Sequence, residues 1–276
     1  MYRIVEKKTL SESVKLMKIH APLIASKAQP GQFIILRIDE KGERIPLTIA
    51  DYDKREGTVT IIFLEVGKTT KQLGGLKEGD SLLNFVGPLG VPSEIKKYGN
   101  VICIGGGVGI APLYPIVKAL KKEGNYVITI LGAKTEKLLI LEKEIGEYSD
   151  ELYITTDDGS KGHKGFVTDI LKELLEKRNK EINMVMAIGP IIMMKKTSDL
   201  TRGYNIKTLV SLNPIMIDGT GMCGGCRVVV DNEVKFACVD GPEFDGHKVD
   251  YENLMLRNRR FIHEEEEACR LKGVTP

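Results

Sequence analysis

At Asn100 the hydrophobic period of this chain changes, and that change limits what it can fold into. Residues 1 to about 97 read as short strands separated by turns: Tyr2–Leu10, Val14–His20, Gln32–Ile38, Pro46–Asp51, Thr58–Leu64 and Ser81–Val86. Short strands at close spacing predict a sandwich or a small barrel. From Asn100 strand alternates with helix. Val101–Ile104 leads to helical periodicity over Leu113–Lys122, strand Tyr126–Leu131, helix Glu136–Tyr148 and strand Leu152–Thr155. Helix Phe166–Arg178, strand Met184–Ile188, a helix from Met193 and strand Thr208–Leu212 follow. That alternation predicts a doubly wound parallel sheet covered on both faces. Near Asn213 the pattern changes again, to a glycine- and cysteine-rich segment with few core-forming residues. Three domains are expected: a β-barrel over 1–97, an α/β domain over 98–212, and a small C-terminal domain over 213–276.

Composition narrows the class. Forty basic side chains oppose thirty-eight acidic ones in 276 residues, for a net charge of +2. So even a balance argues against electrostatic nucleic-acid binding, which needs a concentrated basic face. The N-terminus shows no apolar signal-peptide core. The uncharged stretch Val101–Val117 holds four glycines and two prolines and, at seventeen residues, falls short of the ~20 residues of a membrane span. A soluble, cytoplasmic chain that binds neither membrane nor nucleic acid is expected. Five cysteines, three of them clustered, fit metal ligation in a reducing compartment and not a disulfide framework. Cys103, on a strand, reads as a small buried hydrophobe.

Gly106-Gly107-Val108-Gly109-Ile110-Ala111-Pro112 follows a strand and opens a helix. Glycine permits close backbone approach, and a helix N-terminus offers unpaired N–H groups to a phosphate. Proline fits the first helical turn, where its missing N–H costs nothing. The spacing differs from G-x-G-x-x-G, because Pro112 stands at the last glycine. Thr156-Asp157-Asp158 and Gly189-Pro190 also fall at the C-terminal ends of strands, where open α/β sheets bind ligands.

Asp218-x₄-Cys223-x₂-Cys226-x₁₁-Cys238 has the loop spacing of a plant-type iron–sulfur site, with aspartate at the first ligand position. Soft thiolates favour iron–sulfur or zinc. Three alternatives stay open at this point: zinc held by three cysteines and an aspartate, a degenerate loop, or a fourth ligand other than Asp218. Arg257, Arg259 and Arg260 lie beside Leu254, Met255 and Leu256 and read either as a solvated basic face or as a docking surface. Glu264–Glu267 reads as the solvated face of a C-terminal helix.

The order of parts resembles the ferredoxin–NADP reductase superfamily, a flavin barrel followed by a nicotinamide-dinucleotide domain. Arg44-Ile45-Pro46-Leu47-Thr48-Ile49 resembles that family's Arg-x-Tyr-Ser/Thr flavin motif, with leucine where tyrosine stands in the relatives. Val66-Gly67-Lys68-Thr69-Thr70 resembles the turn that receives the FAD pyrophosphate. Ile188-Gly189-Pro190 stands in place of Cys-Gly-Pro. With the terminal cysteines, the whole chain resembles the branch containing the electron-transfer subunits of dihydroorotate dehydrogenase. The same branch contains the small subunits of bifurcating NADH-dependent ferredoxin:NADP oxidoreductases. Asp218 and the stretch Ala237–His247 resemble the latter, since the dihydroorotate-linked subunits typically carry four cysteines. The resemblance implies FAD, a 2Fe–2S cluster and NAD(H) as cofactors, and no general acid or base. It implies a larger partner subunit carrying another flavin and 4Fe–4S clusters, handling NADP(H) and reaching ferredoxin. A dihydroorotate dehydrogenase subunit, a self-sufficient NAD(P)H diaphorase and a mainly structural module are the competing readings. Asp157 and Asp158 favour NAD(H), because they would repel a 2′-phosphate; Lys134 pulls the other way.

Overall fold

The computed structural model describes residues 1–271. The first seven strands are β1 (Tyr2–Thr9), β2 (Val14–His20), β3 (Phe33–Arg37), β4 (Ile45–Asp53), β5 (Thr58–Leu64), β6 (Ser81–Leu82) and β7 (Asn84–Leu89). They pair antiparallel in the order β6-β1-β2-β5-β4-β3-β7. The two edge strands are separated in the chain by Leu83 alone. That single-residue connection forces the sheet to curl until its edges meet, giving a nearly closed barrel. Helix α1 (Pro22–Lys27) packs on the barrel, and helix α2 (Lys68–Gly75) replaces the turn expected at Gly67–Thr70. Gly67 caps α2, and its N–H donates to Thr70 Oγ1 at 3.1 Å.

Strand period decides what β3 touches. Ile34 and Leu36 face the barrel core with Ile4, Met17, Ile61 and Phe85. Phe33 and Ile35 point to the opposite face and join a different core.

The second sheet holds β8 (Asn100–Gly106), β9 (Tyr126–Ala133), β10 (Glu151–Thr156), β11 (His163–Lys164), β12 (Ile182–Ile188) and β13 (Lys207–Ser211). They are parallel and ordered β11-β10-β9-β8-β12-β13. Helix α3 (Ile110–Lys122) covers one face through Leu113, Ile116, Val117 and Leu120, against Val101, Cys103, Met184 and Met186. Cys103 is fully buried there, and burial pushes its thiol up to about 12. Helices α5 (Val167–Arg178) and α6 (Ile191–Arg202) cover the other face, meeting Ile102, Ile104, Val185 and Ala187 through residues such as Leu171, Leu175 and Met194.

The helix expected over Glu136–Tyr148 is broken. A single turn at Glu136–Leu138 precedes α4 (Glu142–Gly146), with Leu141 left-handed at φ 54° between them. Four consecutive apolar residues, Leu138 to Leu141, cannot share one helical face; the extended break lets Ile140 bury instead.

The C-terminal segment holds more core than its composition foretells. Strands β14 (Arg227–Val230) and β15 (Glu233–Phe236) form a hairpin whose two-residue turn, Asp231-Asn232, has positive φ at both positions. Strand β16 (Glu243–Asp245) then pairs antiparallel with β13, at the edge of the nucleotide-type sheet. Helix α7 (Tyr251–Asn258), capped by Asp250, and α8 (Ile262–Leu271) end the described chain. Val228, Phe244, Tyr251 and Leu254 share one core with Ile102 and Val185. The segment is thus held by apolar packing against its neighbours as well as by its loop chemistry. Among the described residues no helix is long and apolar enough to cross a membrane.

Candidate functional site

Three cavities run into one another along the join between barrel and parallel sheet. The first, about 870 Å³, is lined by Arg44, Pro46, Gly67, Lys68, Thr69 and Thr70, with Met216 and α8 on its far side. The second, about 510 Å³, shares Pro46, Val66, Thr70 and Met216 with the first and adds Phe33, Leu47 and Thr48. Its opposite wall is Gly106, Val108, Gly109, Pro112, Gly189 and Pro190. The third, about 330 Å³, shares Gly106 and Pro190 with the second and adds Gly107, Lys134, Asp157, Phe166 and Lys196. Shared walls make the three a continuous trough, long and mostly apolar, with charged side chains of both signs at either end.

The first cavity carries charge of both signs, Arg44 and Lys68 from the barrel side and Glu43, Glu264, Glu265 and Glu266 beside them. The carboxylate of Glu43 sits at the start of α2, accepting from Thr69 Oγ1 at 2.5 Å and pairing with Lys68 Nζ at 3.6 Å. The N–H groups of a helix N-terminus favour negative charge, and Glu43 supplies it at this position.

The glycine loop is shaped by close approach. A side chain at Gly109 would put its Cβ 2.4 Å from Ile188 O and 2.8 Å from Gly189 Cα. Only glycine lets the start of α3 lie against the end of β12, and this contact forms part of the second cavity's wall. Ala111 is buried beneath the loop. Thr156 and Asp158 do not reach the trough. The Thr156 hydroxyl donates to Lys161 O at 2.8 Å and accepts from Lys161 N at 3.0 Å. Asp158 Oδ1 accepts from Ser160 Oγ at 2.7 Å and Ser160 N at 2.9 Å, which lowers its pKa. Both hold the loop that presents Asp157. Sequence reasoning missed Phe33, Lys196, Met216 and Pro242 as lining residues; each comes from a segment distant in the chain from the motifs.

Beside the second cavity lies the cysteine loop. Cys226 and Cys238 are buried, with their sulfurs 3.2 Å apart. Burial, then the neighbouring Cys226, raises the Cys238 thiol well above its ordinary value. Deprotonating both would set two negative charges side by side in a buried place, which a cation between them would relieve. Two sulfurs on one tetrahedral metal stand about 3.8 Å apart at ~2.3 Å bonds, so the pair has only to open slightly. Cys223 is exposed, and Asp218 lies next to it: Oδ2 accepts from Cys223 N and Oδ1 from Thr220 N, both at 2.8 Å. These bonds, the one from Thr220 foremost, lower the Asp218 pKa. Gly219, Gly221 and Gly224 all take positive φ, which bends the loop around this position.

Among the described residues no three His, Cys, Asp or Glu side chains gather around one point. The four candidates instead stand as two pairs, Asp218 with Cys223 and Cys226 with Cys238. That division suits a binuclear cluster, which spreads four ligands over two irons, better than a single zinc, which needs all four together.

Residues 213–250 match the iron-sulfur cluster binding domain of dihydroorotate dehydrogenase B, and residues 103–199 match the oxidoreductase NAD-binding domain. The dihydroorotate dehydrogenase B electron transfer subunit homolog of Thermotoga maritima is 52% identical over 262 residues, covering 95% of this chain and 92% of that protein. The chain belongs to this electron-transfer subunit family. An uncharacterized protein of the adh 3′ region of Clostridium beijerinckii is 55% identical over 275 residues, covering 97% of this chain and 93% of its own length. A solved structure of an NADH-dependent reduced ferredoxin-NADP oxidoreductase, described for flavin-based electron bifurcation, is 49% identical. It superposes with a TM-score of 0.94, covering 99% of this chain and 98% of its own. A ferredoxin reductase in carbazole 1,9a-dioxygenase, 19% identical with a TM-score of 0.63, covers 74% of this chain and 65% of its own and shares the fold. The family member described here is an oxidoreductase with a barrel, an NAD-binding domain and an iron–sulfur domain.

Proposed function

We propose that this chain is the electron-transfer subunit of an NADH-dependent reduced ferredoxin–NADP oxidoreductase. In this reading it exchanges hydride with NAD(H) and passes single electrons to or from a larger flavoprotein partner. The observation that carries the reading is a shared wall. Phe33 lines the middle of the trough and packs in one core with Cys226 and Cys238. A Cβ at Gly219 would touch Leu89 and Ile35 of the barrel, so the cysteine loop rests directly on the trough's outer wall.

FAD, when bound, supplies hydride acceptance and release of electrons singly, and a 2Fe–2S cluster takes them one at a time. The chain supplies position. Arg44, Gly67, Lys68, Thr69 and Thr70 would hold the flavin pyrophosphate, and Pro46, Leu47 and Thr48 would flank its ring. Gly106, Gly107, Val108, Gly109 and Pro112 would receive the dinucleotide phosphates at the start of α3, with Gly189 and Pro190 opposite. Ala111, Thr156 and Asp158 would shape those loops from behind. Asp157 would accept from a ribose hydroxyl, favouring NAD(H). Asp218, Cys223, Cys226 and Cys238 would hold the cluster. The apolar walls exclude water from the reacting centre.

Met222, 89% exposed, stands with exposed Ile217 and Val239 beside the cluster loop, a face suited to a partner subunit. The superposition on the ferredoxin-NADP oxidoreductase chain supports such a partner, and the aspartate at position 218 supports it over a dihydroorotate-linked one. Unbridged cysteines fit a cytoplasmic setting.

The test is anaerobic purification of the native complex. FAD, iron and sulfide are expected in this chain, together with a larger flavoprotein bearing 4Fe–4S clusters, and NADPH should drive reduction of NAD⁺ and ferredoxin. Zinc in place of iron would overturn the cluster assignment. A partner that oxidises dihydroorotate would replace the bifurcating reading.

A further inference from the structure

The end of α7 turns two arginines back onto the cysteine loop. Arg257 Nε donates to Arg227 O at 3.0 Å, and its Nη2 to Gly225 O at 3.4 Å. Arg260 Nη2 donates to the same Gly225 oxygen at 2.9 Å, and its Nε to Arg257 O at 3.0 Å. Two cations thus converge on one carbonyl between Cys223 and Cys226. In a trans peptide the carbonyl and the following N–H point opposite ways. Holding Gly225 O toward the arginines therefore turns the Cys226 N–H toward the loop interior. On the other side of Gly225, its own N–H lies 3.4 Å from Cys223 Sγ.

Three like charges, those of Arg227, Arg257 and Arg260, stand around the loop, and Arg257 is partly buried. Crowded cations are stable where negative charge sits among them, and iron-bound thiolates supply it.

We propose that Arg257 and Arg260 are positioning residues for the iron–sulfur cluster. They fix the Gly225–Cys226 peptide so that its N–H faces the sulfur ligands, and their two charges favour the reduced cluster. Hydrogen bonds to sulfur and local charge are the levers that set such potentials. The inference rests on the cluster reading above. It also changes the meaning of the basic stretch: partly buried Arg257 and exposed Arg260 both bond to the loop, and Arg259 remains for an outer surface.

The test uses the holoprotein and paramagnetic-resonance redox titration, with the flavin potential in the same sample as control. Arg257→Gln with Arg260→Gln should shift the one-electron equilibrium about tenfold against reduction, 59 mV lower, and alter the cluster signal. Each single Gln variant should shift it about threefold. Arg257→Lys with Arg260→Lys keeps the charge and should return the potential most of the way. Clusters that titrate within a factor of about 1.5 of wild type in every Gln variant would overturn the proposal. Cluster loss in Gln variants with rescue by lysine supports it; loss in Gln and Lys variants alike would overturn it in favour of a packing role. Absence of iron from the wild-type protein would instead sink the cluster reading itself.

Discussion

Glu243 gives a prediction whose sign and size both come from the structure. It lies on β16 where three parts of the molecule meet. Ser93 Oγ, just beyond the barrel, donates to its carboxyl. Its backbone neighbours are tied to both sides: Val91 N donates to Gly241 O at 2.7 Å, and Leu212 N to Pro242 O at 2.9 Å. Burial pushes the Glu243 carboxyl from 4.5 up to about 7, and the Ser93 hydroxyl offsets this only in part. Below pH 4.5 the group is protonated folded and unfolded alike, and no penalty exists. Between pH 4.5 and about 7 the folded chain retains a proton that the unfolded chain has lost, so stability falls as pH rises. Above that window the folded state bears the full cost, about 3 kcal/mol at 1.36 kcal/mol per tenfold. This is an upper limit, because the residue is only partly buried and water screens its charge. Glu243→Gln keeps the shape and can accept from Ser93 but carries no charge. It should leave stability unchanged near pH 4.5 and raise it by up to about 3 kcal/mol at pH 8. Thermal unfolding followed by circular dichroism at the two pH values measures the difference. An equal effect at both, or destabilisation at pH 8, would refute the reasoning.

Gly109→Ala drives a methyl group into the backbone of Ile188 and Gly189, which costs about 1–3 kcal/mol of local packing. The KM for NADH should rise at least about tenfold while flavin content stays constant; an unchanged KM would show that the dinucleotide does not use this contact. Asp218→Cys should retain the cluster with an altered potential and resonance signal, since sulfur spreads iron's charge more than oxygen does. Asp218→Ala should lose the cluster, because it removes both a ligand and the acceptor for the Thr220 and Cys223 N–H groups. Wild-type spectra in both variants would leave Asp218 as a builder of the loop alone.

Much of this molecule is written in local period. Alternation placed Val14–His20 and Thr58–Leu64 residue for residue, and the switch at Asn100 foretold the parallel sheet. The reason is that a strand or helix records in its own residues which face it buries. Glycine and cysteine spacing likewise marked the loops at the strand ends and the cluster segment, because close approach and metal ligation demand particular residue types. The same pattern misled at Glu136–Tyr148, where the packing breaks the helix at Leu139–Leu141, extended at Leu139 and left-handed at Leu141. No local pattern says what a buried face is buried against. Phe33 alternates like any strand residue, and only the tertiary structure puts it in the core that also holds Cys226 and Cys238 and not in the barrel core. Arg257 and Arg260 read as a solvated face until α7 brings them to Gly225. The sequence by itself determined the elements and the chemistry available on them. Tertiary packing decided that three separate motifs share one trough and that a cysteine loop rests on its wall. Those contacts join residues as far apart as Phe33 and Pro242, and their free energy comes from surfaces that become neighbours only when the chain folds.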